Sequence, residues 1–400
     1  MTPNNLIDSS SKTLRQSSGV SECTITSKTQ RFLTEQRPET PFLVVDLDVI
    51  SEKYLTIRRL LPNMQVYYAV KANPAPQILK LLAGLGSSFD TASILEIEQC
   101  IAAGAVPERI SYGNTIKKAR DIAYAYELGV RLFAFDSLCE LEKIATNAPG
   151  ARVYCRFLMN NEGAEWPLSK KFGCELDMAH DLLLHSLSLG LDPYGVSFHV
   201  GSQQTDPSQW DNAISKTAML FSALKQAGVD LRMVNLGGGF PARYKSEILS
   251  IETYTKAITN AMSRYFGDDI PVMMLEPGRS LVADAGVIQS EVVLISHKSY
   301  TDDKRWVFLD IGKFGGLIGT MDERTKYRIR TPWDGGKVEP VILAGPTCDS
   351  TDILYEKASY QLPLNLMVGD KIEFLSTGAY TTTQASVGFN GFPQLRAYYI

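Results

Sequence analysis

The sequence predicts a (β/α)8 TIM barrel followed by an all-β domain, and three observations carry the prediction. Eight short apolar runs alternate with helix-like stretches between about residues 45 and 285, and eight βα units over about 240 residues match the size of such a barrel. Beyond Ala285 the helical pattern gives way to β-like segments separated by proline, glycine and charged turns. The full length, 400 residues, also exceeds what one ordinary hydrophobic core holds.

The eight runs are 65–70, 88–91, 110–113, 132–136, 153–158, 195–200, 233–237 and 272–276. Continuous apolar runs with helical crossovers read as parallel strands buried on both faces. Amphipathic stretches at 76–85, 94–103, 116–128 and 211–227 supply crossovers. The β-like segments that follow are 287–296, 305–309, 338–344 and 371–375, expected to form a β-sandwich or β-barrel. A strand-like stretch at 42–46 either joins that sheet or enters the barrel. The division adopted is a disordered tail over 1–35, a strand segment of the C-terminal domain over 36–45, the barrel over 46–284 and the β domain over 285–400.

Composition narrows the functional classes. The formal net charge is −4 and no long basic run occurs, which argues against nucleic acid or an anionic membrane as partner. The longest apolar stretches are strand-length, so no transmembrane helix is expected. The cysteines (Cys23, Cys100, Cys139, Cys155, Cys174 and Cys348) form no CxxC pair, and reduced thiols in a cytoplasmic protein are expected. Four scattered histidines give no zinc-ligand spacing, so no metal is expected. Residues 1–35 are Ser/Thr-rich without the apolar stretch of a secretory signal; a disordered tail is expected, with an organellar transit peptide as the alternative.

Barrel chemistry sits at the C-terminal ends of the strands, and several runs here end in polar groups. The run of Tyr68-Ala69-Val70 leads into Lys71-Ala72-Asn73. A lysine is usually a solvated surface group, but one held at an apolar barrel mouth is expected to have a depressed pKa, which suits a nucleophilic amine. Ser197-Phe198 leads into His199-Val200-Gly201-Ser202; the histidine is either a packing residue or a ring laid against a planar cofactor. Gly237-Gly238-Gly239-Phe240-Pro241 fits neither GxGxxG nor GxxxxGK[ST]. At the seventh strand end it is either a tight turn or a backbone cradle for a phosphate. Glu276-Pro277-Gly278-Arg279 closes the eighth; the pair is either a surface ion pair or a carboxylate facing a ring nitrogen and an arginine facing a phosphate. An amine nucleophile, a stacking ring, a phosphate cradle and a carboxylate together suit pyridoxal 5'-phosphate, which carries an aldehyde, a planar ring, a phosphate and a basic nitrogen.

These motifs, with Phe89-Asp90-Thr91-Ala92-Ser93 and Glu96, Gly345-Pro346-Thr347-Cys348-Asp349-Ser350 and Asp352, and Gly378-Ala379-Tyr380, occur in one order over about residues 42–395. In them the chain resembles the ornithine/diaminopimelate decarboxylase family, pyridoxal-phosphate enzymes of alanine-racemase-like fold. The resemblance implies that Lys71 joins the cofactor aldehyde, Glu276 pairs with the pyridine nitrogen and His199 stacks on the ring. Ser202, Gly238, Gly239, Arg279 and Tyr380 would hold the phosphate, with Asp90 and Arg156 supporting the shell near Lys71. It further implies that Cys348 protonates the substrate Cα, that Cys348 and Asp349 reach the neighbouring subunit's site, and hence a homodimer with shared active sites.

The substrate implied is a basic amino acid. Cys348 is followed by Asp349-Ser350-Thr351-Asp352 and not by the Glu-Ser-Gly-Asp of diaminopimelate decarboxylases. The Asp form resembles ornithine decarboxylases, which implies ornithine turned into putrescine for polyamine biosynthesis, with lysine to cadaverine as a second activity. Asp349 would bind the distal ammonium; Asp322 would be a second substrate acid, with Glu323 its rival. The alternatives are a diaminopimelate decarboxylase, a racemase on the same barrel and a non-catalytic regulatory homologue. Such homologues usually lose the lysine or the cysteine, and both stand here.

Overall fold

The structure is a computed structural model that describes residues 25–159, 162–166 and 171–400. The eight expected runs form a closed parallel barrel: Met64–Ala69, Ser88–Thr91, Ile110–Tyr112, Leu132–Phe135, Arg152–Arg156, Asp192–Ser197, Met233–Asn235 and Val272–Leu275, the last pairing back to the first. The predicted crossovers appear as helices Pro76–Gly84, Ile94–Ala102, Ala119–Glu127 and Ser208–Gln226. Ser93 shows how a helix start is encoded. Its hydroxyl accepts the Glu96 N–H while the Glu96 carboxylate accepts the Ala92 N–H at 2.6 Å, a reciprocal cap that satisfies one donor of the first turn and one just before it.

Val66, Tyr68, Phe89, Phe133, Val153, Val196 and Val234 are almost wholly buried between the barrel and its ring of helices. Each such side chain stabilises the fold by about 1.5–3 kcal/mol relative to exposure. Tyr67, Leu132, Ala134, Tyr154, Met233 and Met274 form a separate cluster that plugs the barrel. This is a packed core, so chemistry is confined to the mouth.

The β region is one nine-stranded curled sheet. Its central strand, Gly286–Ser296, pairs antiparallel with Lys371–Leu375 and, past an irregularity between Val292 and Leu294, with Arg305–Leu309. Phe42–Val45 pairs with this same strand, Phe42 opposite Gln289, and runs parallel to Arg396–Tyr399. All four residues of Phe42–Val45 are fully buried, which explains why the run is apolar on both faces.

The disordered tail expected over 1–35 does not include its last nine residues. Ser27–Glu35 form a helix, capped by the Thr26 hydroxyl, which accepts the Thr29 N–H at 3.0 Å. Leu33 is buried and the Phe32 ring packs against Phe42 and Tyr398, so the helix has a partner surface that its Ser/Thr-rich context conceals. Residues 1–24, with Cys23, lie outside the described residues. Among the described residues no helix is long and apolar enough to cross a membrane. Cys100, Cys155 and Cys174 are buried free thiols, whereas Cys139 and Cys348 are exposed.

Candidate active site

Parallel register brings the polar strand ends to one rim. Ala69 lies opposite Asp90, and Asn235 opposite both Ser197 and Met274, so the residues that follow these positions converge at the mouth. Lys71 occupies a single helical turn, Val70–Ala72, two residues beyond its strand. Its Nζ stands 3.5 Å from Asp90 Oδ2, and the side chain is half exposed. The lysine pKa is not depressed as expected. Burial pulls it down, but the Asp90, Tyr380 and Glu276 charges together outweigh burial and hold it above the ordinary lysine value. The apolar run before Lys71 gives no hint of the carboxylates that other strands bring to it.

Asp90 is buried, and its Oδ1 has no hydrogen-bond partner among the described residues. A Cβ on Gly113 would lie 1.9 Å from that oxygen, so a side chain there would expel the carboxylate. Arg156 ends its own strand with its guanidinium 5.5 Å from the centre of the Phe172 ring. Its positive charge acts on Lys71, Asp90, His199 and Glu276 alike.

The His199 ring accepts the Gly201 N–H on Nδ1 at 3.0 Å, which leaves the ring proton on Nε2. Burial, with Arg156 and Lys71 nearby, pushes its pKa well below the usual histidine value, so the ring is neutral. The glycine turn lies beside it. A Cβ on Gly238 would meet the Glu276 carbonyl oxygen at 2.5 Å, with His199 Nε2 at 3.7 Å. Gly239 has φ +99°, and a Cβ there would meet the Gly201 carbonyl at 2.5 Å, so only glycine fits. Ser202 sits in a short strand, Ser202–Gln204, opposite Trp166; Gln204 N–H donates to the Gly239 carbonyl at 2.8 Å and ties that strand to the turn.

Glu276 and Arg279 are not an ion pair. Burial and the neighbouring Asp90 push the Glu276 carboxyl up to about 7, against the opposing pull of Lys71, an Asn235 hydrogen bond and Arg156. Arg279 instead donates to the Tyr244 hydroxyl at 2.6 Å and lies 4.8 Å over the Tyr380 ring, while its buried Nε has no partner among the described residues. Tyr380, at φ +60°, donates its N–H to the Ala72 carbonyl at 2.9 Å.

Cys348 and Asp349 lie elsewhere, on an exposed loop of the sheet domain. Asp352 shapes that loop: it is buried, accepts the Thr347 hydroxyl at 2.8 Å and the Lys313 N–H at 2.7 Å, and leaves no room for a Cβ at Gly312 or Gly345. Asn390 Oδ1 accepts the Cys348 N–H at 3.0 Å and lies 3.3 Å from its sulfur. Asp349 accepts the Thr351 N–H and hydroxyl at 2.8 and 2.6 Å through one oxygen, which holds its carboxyl below the ordinary aspartate range. Asp322 and Glu323 both have positive φ in a tight turn. Glu323 is engaged, accepting the Glu356 and Lys357 N–H groups at 2.7 and 2.6 Å, whereas Asp322 is exposed and forms an ion pair with Arg324 at 3.7 Å.

Residues 47–283 match the family described as pyridoxal-dependent decarboxylase, pyridoxal binding domain. A lysine/ornithine decarboxylase of Selenomonas ruminantium is 36% identical over 89% of this chain and 88% of its own length. The chain belongs to this decarboxylase family. Among solved structures, a lysine/ornithine decarboxylase of Vibrio vulnificus complexed with cadaverine is 29% identical, with TM-score 0.85 over 94% of this chain and 100% of that one. An arginine decarboxylase of Paramecium bursaria Chlorella virus bound to agmatine is 28% identical, with TM-score 0.86 and the same coverage.

The decarboxylase is pyridoxal-phosphate-dependent and acts on a basic amino acid. Its residues fit the cofactor. The glycine cradle excludes any Cβ, a buried arginine nitrogen beside Tyr380 has no protein acceptor, and a primary amine faces the same mouth. Sequence reading missed Asn235, Tyr244, Gly113 and Asn390. An asparagine inside the buried run Met233-Val234-Asn235-Leu236 was a usable signal, since a buried amide needs partners. Tyr244 and Asn390 carry no such local mark.

Proposed function

We propose that the protein decarboxylates L-ornithine to putrescine, with L-lysine to cadaverine as a second activity, in polyamine biosynthesis. Asp349 carries the reading: two hydrogen bonds from Thr351 keep one carboxylate oxygen occupied and the group ionised, and the other oxygen can receive a distal ammonium. Asp322 is the second substrate acid, because the Glu323 carboxylate already serves two backbone donors.

Pyridoxal phosphate, held through Lys71, would supply a ring that accepts the electrons released as the carboxylate leaves. The Glu276 carboxylate would meet the pyridine nitrogen and favour its protonated form. Neutral His199 would lie against the ring. Gly238, Gly239, Ser202, Arg279 and Tyr380 would hold the phosphate, through N–H donors, hydroxyls and one guanidinium. Asp90 keeps the Lys71 amine oriented, with Arg156 balancing the negative charge of Asp90 and Glu276. The Cys348 thiol holds the proton delivered to the substrate Cα. Since Cys348 and Asp349 lie on an exposed loop, this reading requires a homodimer in which each subunit completes the other's site.

Carbon dioxide release from ornithine, lysine, arginine and diaminopimelate tests the reading. Ornithine is expected to give the highest kcat/KM, with lysine within about 1–3 kcal/mol, the discrimination one methylene supports. Preference for diaminopimelate or arginine would overturn it. A cofactor-free, colourless protein would indicate the regulatory homologue instead.

A further inference from the structure

Asn235 is fully buried at the end of the strand Met233–Asn235. Its Oδ1 accepts the Gly237 N–H at 2.9 Å, and its Nδ2 donates to Glu276 Oε1. Only the oxygen of an amide accepts a hydrogen bond, so the Gly237 contact decides which way round the side chain sits. With that oxygen committed to the glycine turn, the NH2 group faces Glu276. A donor so placed favours the ionised carboxylate, whose oxygen is a stronger acceptor than the carbonyl of the protonated acid. The circuit closes through the backbone, where the Glu276 N–H donates to the Gly237 carbonyl at 2.8 Å.

We infer that Asn235 is a positioning residue for the cofactor: one buried amide locks the triple-glycine turn to the Glu276 carboxylate and favours its ionised form. The inference rests on the reading that Glu276 meets the pyridine nitrogen and the glycine turn meets the phosphate. Under it, the two ends of the cofactor are gripped as one rigid unit, so the phosphate anchor also sets the electronic state of the ring.

The groups around Glu276 make such a device necessary. Asp90, from the strand Ser88–Thr91, and burial both favour the protonated carboxyl. Lys71, from the turn Val70–Ala72, and Arg156, from the strand Arg152–Arg156, oppose them. His199 and the buried Tyr154 hydroxyl are neutral and do not offset Asp90. Lys71 is the group that joins the cofactor, so its ammonium charge is not a constant partner through the reaction. The Asn235 N–H does not titrate and is constant.

The test uses holoenzyme carrying pyridoxal phosphate labelled with 15N in the ring, in Asn235→Leu, Asn235→Asp and Glu276→Gln forms. In Asn235→Leu the ring-nitrogen resonance is expected to move toward its unprotonated position at neutral pH. Cofactor loss on dialysis is expected to be at least about tenfold faster, as for a lost charge-assisted hydrogen bond. The kcat is expected to fall while KM for substrate stays within about twofold, since Asn235 makes no substrate contact in this account. Asn235→Asp is expected to restore the resonance and cofactor retention. An aspartic acid sharing one proton with Glu276 can still accept from Gly237 and donate to the carboxylate. If Asn235→Leu does not fold, Asn235→Ser, which leaves room for water, is expected to show the same shift. Folded Asn235→Leu or Asn235→Ser holoenzyme with wild-type resonance and wild-type retention would overturn the inference. Glu276→Gln separates the two readings: if it too leaves the resonance unmoved, the Glu276 pairing itself fails. If it moves the resonance and the Asn235 variants do not, only the role of Asn235 fails.

Discussion

The backbone N–H of Tyr380 donates to the carbonyl of Ala72, 2.9 Å away and one residue beyond Lys71. A second bond runs alongside, from Asn73 Nδ2 to the Gly378 carbonyl at 2.9 Å. Tyr380 also lies under the Arg279 guanidinium. The sheet domain therefore does more than follow the barrel in sequence, because it clamps the turn that carries Lys71.

Gly378 is the tightest point of that clamp. A Cβ there would sit 1.9 Å from the Val282 carbonyl oxygen. Gly378→Ala is expected to destabilise the protein by about 1–3 kcal/mol, the usual cost of overpacking, and to weaken cofactor binding through Lys71. Urea unfolding checks the first expectation, and an unchanged midpoint would show that the junction yields freely.

Two buried groups make opposite contributions to stability against pH in the cofactor-free protein. Glu276 has its folded pKa raised to about 7 from 4.5, so its contribution is full below 4.5 and is lost as pH rises through 7. His199 has its folded pKa lowered well below 6.5, so its contribution is present above 6.5 and is lost as pH falls through the folded value. Glu276→Gln is expected to remove a loss of stability between pH 4.5 and 7, and His199→Gln a loss below 6.5. Urea midpoints across this range read both; parallel curves for wild type and variants would refute the assignments.

The three distal acids are expected to separate by phenotype. Asp349→Asn lowers kcat/KM for ornithine by about ten- to a hundredfold, the worth of a charged hydrogen bond. Asp322→Asn raises KM with the fold intact. Glu323→Gln changes KM little and lowers the unfolding temperature, because its carboxylate caps the Glu356 and Lys357 N–H groups. Steady-state kinetics beside thermal unfolding distinguish them, and a large KM effect at Glu323 would reverse the assignment.

The proposed sharing of sites across a homodimer predicts complementation. Lys71→Ala and Cys348→Ala proteins are each expected to be severely impaired alone. Mixed and allowed to exchange subunits, they regain about a quarter of wild-type activity, since half of the dimers are mixed and each holds one intact site. No recovery in a mixture shown to contain mixed dimers would place Cys348 outside the neighbouring site.

The barrel was legible because buried parallel strands are continuous apolar runs, and Lys71, His199, Glu276 and the glycine turn could be placed at its mouth because each lies at the end of such a run. The helix Ser27–Glu35 was not: its few apolar residues, Phe32 and Leu33, matter only against Phe42 and Tyr398, which are distant or absent in any local window. The raised lysine pKa escaped for the same reason, since Asp90 and Glu276 reach Lys71 only through barrel closure. Glu323 and Asp322 are adjacent and alike in sequence, and only the backbone of Glu356 and Lys357 tells them apart.

The account stands on Lys71 as the residue that carries the cofactor. Borohydride reduction of the yellow holoenzyme, followed by peptide mass mapping, tests this directly. It is expected to find the phosphopyridoxyl group on the peptide containing Tyr68-Ala69-Val70-Lys71-Ala72-Asn73, and to find none in Lys71→Ala. The label on another lysine, or full labelling in that variant, would contradict it.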